Sequence, residues 1–332
     1  MTINCFSHRF YKAISGVLFC LSLAACDKAE PPTEQWESAV QGLYSAVLSN
    51  DGKYGIVGSI QHGGSLWDMK RKERLFNWNH AKGDYTLFTS TAFSPDSQYA
   101  ATASERTIVL WETTTGAPVW FWTAPGKILS MALTPNGDYA VLGLANHTAV
   151  LFDIKNGGIK RTFTHQGEVR SVSLSGNGKL LVTGSDDETA KLWDIQSGEQ
   201  LHSWQHGNQL ITTAVSANGT YVFTAAQADK AVIWNAKSGK EVRTLPIKTG
   251  SYIVGAAYSA ARFSEDEKQL MTGTNSQLVQ LWDIKSGAQL KRWRISKKDK
   301  WKPTSATVLA VAFSGKGKYL AIGSNGLSYK LQ

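Results

Sequence analysis

Residues 168–205 read EVRSVSLSGNGKLLVTGSDDETAKLWDIQSGEQLHSWQ, and this stretch decides the fold of the chain. It holds four short runs of apolar or alternating residues, separated by turns rich in Gly, Asn, Asp and Ser. The Asn177-Gly178 pair favours a tight hairpin turn, because both residue types accept a positive φ. The stretch therefore predicts four consecutive antiparallel strands joined by hairpins.

The same unit recurs along the chain. Its third strand ends in a large aromatic residue, and successive examples are 44, 41, 41, 41 and 48 residues apart: Trp67, Trp111, Phe152, Trp193, Trp234 and Trp282. The turn of the first hairpin recurs seven times, beginning at residues 49, 94, 134, 175, 216, 264 and 314. A period near forty with four strands per unit is typical of a β-propeller. We predict an all-β, seven-bladed propeller of four-stranded antiparallel blades.

The ring is predicted to close through the N-terminal end. The seventh unit stops after its third strand, at Gln332. Trp36, in the string TEQWESA, precedes the first hairpin by about the distance that separates the other fourth-strand aromatics from their hairpins. Residues 33–40 should therefore complete blade seven, which removes an exposed sheet edge. We assign the propeller to residues 35–332.

This unit resembles the WD repeat. Blade four matches the hydrogen-bonded set of that family, namely His165, Thr183, Asp187 and Trp193. A buried Trp N–H needs an acceptor, which this set would supply. The other blades depart from the pattern: Gln61, Glu105, Asn146, Ala228 and Ser276 take the Asp position, and Val57, Ala101 and Leu142 take the Ser/Thr position, where Thr224 and Thr272 fit. The resemblance implies a rigid platform whose function lies in its loops.

The first 25 residues form a separate segment. Arg9 and Lys12 precede an uncharged apolar run, as in a secretory signal. The run ends Leu23-Ala24-Ala25-Cys26, which resembles the lipobox of bacterial lipoproteins. The resemblance implies a signal peptide (1–25) cleaved before a lipidated Cys26, then a short linker to residue 34. An ordinary cleaved signal is the alternative.

Location follows from the same resemblance. It implies a lipid-anchored protein of the cell envelope that faces the periplasm. Asp27 resembles the inner-membrane retention signal of enteric relatives and slightly favours that membrane, while the outer membrane stays open. Cys5 and Cys20 lie within the signal, so the mature body has no thiol pair for a disulfide or a Cys-ligated metal.

The charge balance favours acidic partners without indicating nucleic acid. The chain has 35 Lys and Arg against 26 Asp and Glu, a net charge of +9. Such an excess favours anionic surfaces, but it is spread along the chain, and export argues against a nucleic-acid partner. We therefore expect protein partners, a membrane contact through the lipid, and a monomeric propeller.

The sequence carries none of the common catalytic motifs. It has no GxSxG elbow, no phosphate-binding glycine loop and no HExxH zinc motif. His202 and His206 have the spacing of a helical zinc pair, but on a strand they would lie about 13 Å apart. We predict no enzyme activity, no cofactor and no metal site.

The longest insertion joins units six and seven. It carries Arg294, Lys297, Lys298, Lys300, Trp301 and Lys302. An aromatic among cations on a long loop suits an anionic partner, although a solvated loop is the alternative. A second long connection covers 247–254. The linker is expected to leave from the face of the first hairpin turns, so that this face meets the membrane and the long loop faces away.

The sequence therefore predicts a lipid-anchored, non-catalytic scaffold that presents inter-blade loops to a protein partner. Two alternatives stay open. Strings such as LWDIQSGEQLHSW also resemble repeats of quinone-dependent dehydrogenases, which have eight blades rather than seven. A glycan- or peptidoglycan-binding propeller would use aromatic side chains on the loops.

Overall fold

The computed structural model describes residues 29–60, 62–81, 83, 85–247, 257–299 and 306–332. These residues form 28 strands and one short 3₁₀ turn, Pro135–Gly137. The strands fall into seven four-stranded antiparallel sheets, so the predicted fold class is confirmed. Each sheet is one blade, and its strands follow one another from the central axis to the rim.

Each blade takes four strands, innermost strand first. Blades one to three are β2(Leu43–Leu48), β3(Tyr54–Ser59), β4(Gly63–Asp68), β5(Glu73–Trp78); β6(Ser90–Phe93), β7(Tyr99–Ser104), β8(Thr107–Glu112), β9(Pro118–Thr123); and β10(Ile128–Leu133), β11(Tyr139–Leu144), β12(Thr148–Asp153), β13(Ile159–Thr164). Blades four and five are β14(Val169–Leu174), β15(Leu180–Ser185), β16(Thr189–Asp194), β17(Gln200–Gln205); and β18(Leu210–Val215), β19(Tyr221–Ala226), β20(Ala231–Asn235), β21(Glu241–Leu245). Blades six and seven are β22(Tyr258–Phe263), β23(Gln269–Thr274), β24(Leu278–Asp283), β25(Gln289–Arg294); and β26(Val308–Phe313), β27(Tyr319–Gly323), β28(Leu327–Leu331), β1(Glu34–Glu37).

The N-terminal strand closes the ring as predicted. β1 pairs antiparallel with β28, the last strand of the chain, and places Trp36 opposite Ser328. The hydroxyls of Ser38 and Ser328 lie 2.6 Å apart and join the same two strands. Glu34, assigned to the linker from the sequence, is the first residue of β1.

The alternation of strands gives the ring two distinct faces. The first and third hairpin turns of every blade lie on one side, which we call the hairpin face. The second hairpin turns and the inter-blade connections lie on the other, which we call the loop face. This arrangement follows because each strand of a blade runs opposite to its neighbour.

Aromatic side chains hold adjacent blades together. Trp78, at the end of blade one, stacks on Trp111 of blade two with ring centroids 5.0 Å apart. Its indole N–H donates to the carbonyl of Gly116, at 3.1 Å, in the third turn of blade two. Trp204 stacks on Trp234 at 5.0 Å and donates to Gly239 at 2.9 Å in the same way. Each such contact buries a large ring and satisfies its polar atom.

Hydroxyl groups on the innermost strands connect the blades around the channel. Ser171 and Thr213 lie 2.9 Å apart, and the Ser45 hydroxyl donates to the Phe88 carbonyl at 2.8 Å. The Ser259 hydroxyl donates to the Val308 carbonyl at 2.7 Å. Two adjoining spaces lie along the channel that they surround, one of ≈ 360 Å³ and, toward the hairpin face, one of ≈ 830 Å³. Strands bound to each other in this way form a rigid base for the loops.

The described end of the linker lies on the rim of the ring. Glu30 makes a parallel bridge to β25, with its N–H donating to the Arg292 carbonyl at 2.8 Å and its carbonyl accepting from the Arg294 N–H at 2.9 Å. The chain then continues to β1 in blade seven. Backbone pairing holds Glu30 against blade six, so the described part of the linker follows the rim, and its departure from the hairpin face stays a prediction.

Candidate interaction surface

Four large apolar side chains are exposed on one side of the loop face. Val40, Tyr44, Tyr85 and Leu87 have 69, 56, 71 and 40% of their surface exposed. Val40 and Tyr44 lie where the chain enters blade one, and the other two lie in the connection to blade two. We call this set the apolar loop patch. Single exposed apolar residues are ordinary, whereas a group of them indicates an interaction site.

The connection that carries Tyr85 and Leu87 is fixed at both ends. Phe88 is fully buried, and its ring covers Gly64 so closely that a Cβ there would lie 1.8 Å from a ring carbon. At the other end, the Asn79 side-chain oxygen accepts from the Thr86 N–H at 3.2 Å. The described neighbours Asn79, Thr86 and Phe88 are therefore held in place, which lowers the entropic cost of ordering Tyr85 and Leu87 on binding.

Sequence reasoning missed this connection. The step from Trp78 to Phe88 is four residues longer than the equivalent step from Trp122 to Ile128. The spacing of 44 residues between Trp67 and Trp111 shows this insertion only in part. The second hairpin of blade two is one residue shorter, which offsets one of the four added residues.

Lys298 lies at the border of the apolar loop patch. Its ammonium is 2.9 Å from the Glu37 carboxylate and donates to the carbonyls of Ala39 and Val40, at 3.2 and 2.5 Å. Nearby, the Ser296 carbonyl accepts from the Tyr329 hydroxyl at 2.7 Å. The start of the long connection is thus bound to blade seven, and Lys298 serves to hold the strand end that presents Val40.

The remaining cations of that predicted loop are placed as follows. Arg294 is exposed on the rim, and its side chain donates to the Ser276 carbonyl at 3.4 Å, while Lys297 is partly buried. Lys300, Trp301 and Lys302 lie outside the described residues, as do Cys26, Asp27 and most of 247–254. The structure therefore describes only Arg294, Lys297 and Lys298 of the six predicted loop residues, and their role as one partner-binding surface stays a prediction.

The four residues predicted as a set in blade four form one hydrogen-bonded chain. The Trp193 indole N–H donates to the Thr183 hydroxyl at 2.9 Å, and Thr183 lies 2.7 Å from His165 Nε2. His165 Nδ1 lies 2.9 Å from the Asp187 carboxylate. Asp187 also accepts from the N–H groups of Gln166 and Thr189. The chain connects the end of the outer strand of blade three with the second strand, the second turn and the third strand of blade four.

The pKa values in this set follow from burial and hydrogen bonding. Burial lowers the pKa of His165, with the Asp187 charge opposing the shift. For Asp187, burial raises the pKa, but hydrogen bonds from Thr189 and Gln166 and the nearby His165 outweigh it and lower the pKa to about 2. At neutral pH the pair is therefore a neutral imidazole and a carboxylate.

Blade two forms a related set that the spacing in the sequence misplaced. The Trp111 indole N–H donates to the Thr102 hydroxyl at 2.8 Å. The sequence had assigned the acceptor position to Ala101, one residue earlier, because the second hairpin of this blade is one residue shorter. His80 lies 2.9 Å from both Thr102 and Thr107, so a hydroxyl takes the place of the carboxylate.

Blades one and five depart in other ways. In blade five Trp234 donates to Thr224 at 2.8 Å and His206 lies 3.0 Å from Thr224. The carboxylate nearest His206 is Asp229, at 3.9 Å, one residue after the position assigned from the sequence. In blade one, where Val57 offers no hydroxyl, Trp67 donates to Ser65 at 2.9 Å.

Comparison with protein families adds to this picture. The model of the family "WD domain, G-beta repeat" matches residues 78–112 and 157–194. Together with the seven blades, these matches support the WD-repeat propeller family. The second match includes Asp187 and Trp193, and the first runs from Trp78, the last residue of the outer strand of blade one, to Glu112 at the end of β8. No curated protein matches the chain in sequence.

Two further observations concern the chemistry of the ring. Within the described ranges, no group of three or more His, Cys, Asp or Glu side chains is arranged to hold a metal ion. Among the helices of those same ranges, none is long and apolar enough to cross a membrane.

Proposed function

We propose that this chain is a non-catalytic protein-interaction scaffold, anchored by lipid at Cys26 to the bacterial cell envelope, and that the loop face receives a protein partner. The observation that carries the proposal is the apolar loop patch on a rigid base. WD-repeat propellers suggest a scaffold role, and exposed Tyr side chains are frequent anchors in protein interfaces because they offer large contact area with little entropy to lose.

The anchor and the patch are compatible in space. Glu30 is bound to the rim at blade six and follows Cys26 by four residues. Such a segment spans at most about 13–14 Å. The membrane would then lie close to this rim, so that the loop face opens sideways toward the periplasm.

The partner's chemistry follows from the surface it meets. The apolar side chains favour an apolar centre in the partner interface. Without residues 1–25 the chain has 33 Lys and Arg against 26 Asp and Glu, and this net charge of +7 favours acidic groups at the edge of that interface. The quinone-enzyme alternative is less well supported, because the ring has seven blades rather than eight.

Site-specific photo-crosslinking in cells tests this proposal. A benzophenone amino acid would replace Tyr85 in the full chain, and the same residue would replace exposed Lys316 on the hairpin face as the matched control. We expect a discrete crosslinked protein from position 85 and none from position 316. Equal crosslinking at both positions, or none at 85, would contradict the proposal.

A pair of further variants separates the role of the apolar loop patch from that of the lipid anchor. Tyr85→Asp should abolish the crosslink from a second probe at Val40 while the protein stays in the membrane fraction. Cys26→Ser should instead release it from membranes. Retention of the Val40 crosslink in Tyr85→Asp would argue against a shared partner surface.

A further inference from the structure

The outer strand of blade two differs from the other outer strands. β9 reads PVWFWT and exposes three consecutive large apolar side chains, Val119, Trp120 and Phe121, at 41, 45 and 55%. All seven outer strands lie within the described residues, and β9 is the only one of them that exposes three large apolar side chains in a row. β13, β17 and β25 each expose one such residue, namely Ile159, Leu201 and Leu290.

Both sides of the β9 edge are apolar. Trp120 lies 5.8 Å from Trp122, measured between ring centroids, on the side that faces blade three. Phe121 points to the other side, where its ring meets His80 edge-on at 6.3 Å. β9 carries no Lys, Arg, Asp or Glu, although charged side chains are a common protection of strand edges against pairing.

The backbone of β9 offers hydrogen-bonding groups at this edge. The Ala124 N–H donates to the Arg106 carbonyl at 2.6 Å. This bond shows which residues of β9 direct their backbone N–H and C=O groups toward β8, because in an antiparallel ladder every second residue does so. By that alternation, Phe121 and Thr123 direct their N–H and C=O groups away from β8. Among the described residues, none pairs with these backbone groups.

Blade six shows what the same groups can bind. Trp293 of β25 and Trp122 of β9 hold equivalent positions in their blades. The residues on either side of them therefore correspond as well, Arg292 to Phe121 and Arg294 to Thr123. The Arg292 carbonyl and the Arg294 N–H are the groups that pair with Glu30. The chain therefore already adds an extended segment to one outer strand, at the positions that are open in β9.

We infer that β9 is a second docking site, which receives an extended, uncharged segment of another protein as a fifth strand of blade two. Charge decides the chemistry of the occupant: an edge with no charged side chain and apolar groups on both sides suits a strand with apolar residues at alternate positions. The surface lies on the rim and adjoins the connection that carries the apolar loop patch, because His80 contacts both Phe121 and Phe88.

The size of the edge argues against a second copy as the occupant. β9 has six residues, and pairing two such strands buries far less than the roughly 1,200–2,000 Å² of a stable specific interface. Two copies that each carry a net positive charge would also repel each other. A single extended segment needs no such area, since backbone hydrogen bonds provide much of its binding.

The test uses peptides selected for binding to the purified full-length protein. A displayed library of twelve-residue peptides is panned on it, and the enriched peptide is synthesised for affinity measurement by fluorescence anisotropy. We expect an uncharged peptide with alternating apolar residues, whose affinity falls at least tenfold in Phe121→Lys. Leu290→Lys, at an exposed apolar site on β25, is the matched control and should bind normally.

A second variant separates backbone pairing from side-chain contact. Thr123→Pro removes one outward N–H at the strand end, where a proline is tolerated, and should also weaken binding at least tenfold. Hydrogen exchange should show protection of residues 119–123 when the peptide binds. Far-ultraviolet circular dichroism checks that each variant is folded.

Several outcomes would overturn the inference. They are the absence of any enriched peptide, binding that Phe121→Lys leaves within threefold, and protection that appears elsewhere on the ring. Dimerisation of the wild-type protein in sedimentation, lost in Phe121→Lys, would assign the edge to a second copy instead. None of these results bears on the crosslink from Tyr85, so the two sites can fail independently.

Discussion

The Trp111 indole N–H donates to the Thr102 hydroxyl across nine residues, whereas Trp193 reaches Thr183 across ten. The two bonds have nearly equal lengths, 2.8 and 2.9 Å, because the second hairpin of blade two is one residue shorter. A buried indole needs an acceptor, and the fold supplies it by position in space rather than by a fixed sequence interval.

The hydroxyl of Thr183 should contribute strongly to stability. Thr183→Val removes the acceptor of Trp193 and the partner of His165 while keeping the side-chain shape. Leaving buried polar groups unpaired costs about 2–3 kcal/mol. Urea unfolding should show this loss, and Thr162→Val, at an exposed position on β13, should change the free energy of unfolding by less than about 0.5 kcal/mol. Equal effects of the two variants would contradict the role of the set.

Stability should fall as the solution is acidified below pH 6.5. Burial lowers the pKa of His80 and of His206 to about 4, from 6.5. Between pH 4 and pH 6.5 the unfolded chain binds more protons at these two histidines than the folded chain does. The stabilisation that the two neutral imidazoles contribute is therefore complete above pH 6.5 and is lost as the pH falls toward 4. The loss is on the order of 3 kcal/mol for each residue.

The slope of stability against pH measures this effect. His80→Gln and His206→Gln should each flatten the dependence of the urea midpoint on pH between 4 and 6.5. His147→Gln changes an exposed turn residue and is the control. A slope that is unchanged in both buried-site variants would show that other groups are responsible.

Closure of the ring should depend on the backbone of β1. Trp36 belongs to the ladder with β28, and its ring packs against the seam between blades seven and one. Trp36→Ala should cost about 2 kcal/mol through lost packing, and Trp36→Pro about 1–2 kcal/mol more, since it removes a ladder hydrogen bond. Gln35→Pro should cost less than about 1 kcal/mol, because its N–H points outward. Similar losses at both prolines would show a different register.

The rigidity of the apolar loop patch should depend on Gly64. A Cβ at this position would collide with the buried Phe88 ring, so Gly64→Ala must displace it. We expect a loss of about 2–3 kcal/mol, as for other overpacked sites, and faster hydrogen exchange in residues 85–88. At Gly126 the nearest atom to an added Cβ is 3.4 Å away, so Gly126→Ala is the control and should be near neutral. Unchanged exchange in Gly64→Ala would show that Phe88 does not hold the connection.

Lipidation of Cys26 remains a prediction from the sequence. Cys26→Ser should shift the protein from the membrane to the soluble fraction and abolish incorporation of a labelled fatty acid. Cys20→Ser, within the apolar run, is the control and should leave both unchanged. Membrane association that survives Cys26→Ser, without incorporated fatty acid, would favour a different mode of attachment.

Much of the fold could be predicted because its signals are local and repeated. Hairpin turns, alternating strands and an aromatic residue at each third strand recur often enough to fix seven blades, and even the pairing of Trp36 with blade seven follows from counting. Individual contacts were harder to predict. Thr102 and Asp229 each lie one residue from the assigned position, since a turn that loses or shifts a residue moves the side chain without changing the strand.

The sequence by itself determined the strands, their number per blade and the order of the blades, because each depends on residues close together in the chain. Only the tertiary structure decided which edges and side chains reach the surface. It set Glu30 against the rim of blade six, brought Val40 and Tyr85 to one side of the loop face, and left Phe121 uncovered on the edge of β9. Exposure and edge pairing depend on residues from distant parts of the chain, and their packing in the closed ring fixes what a partner can touch.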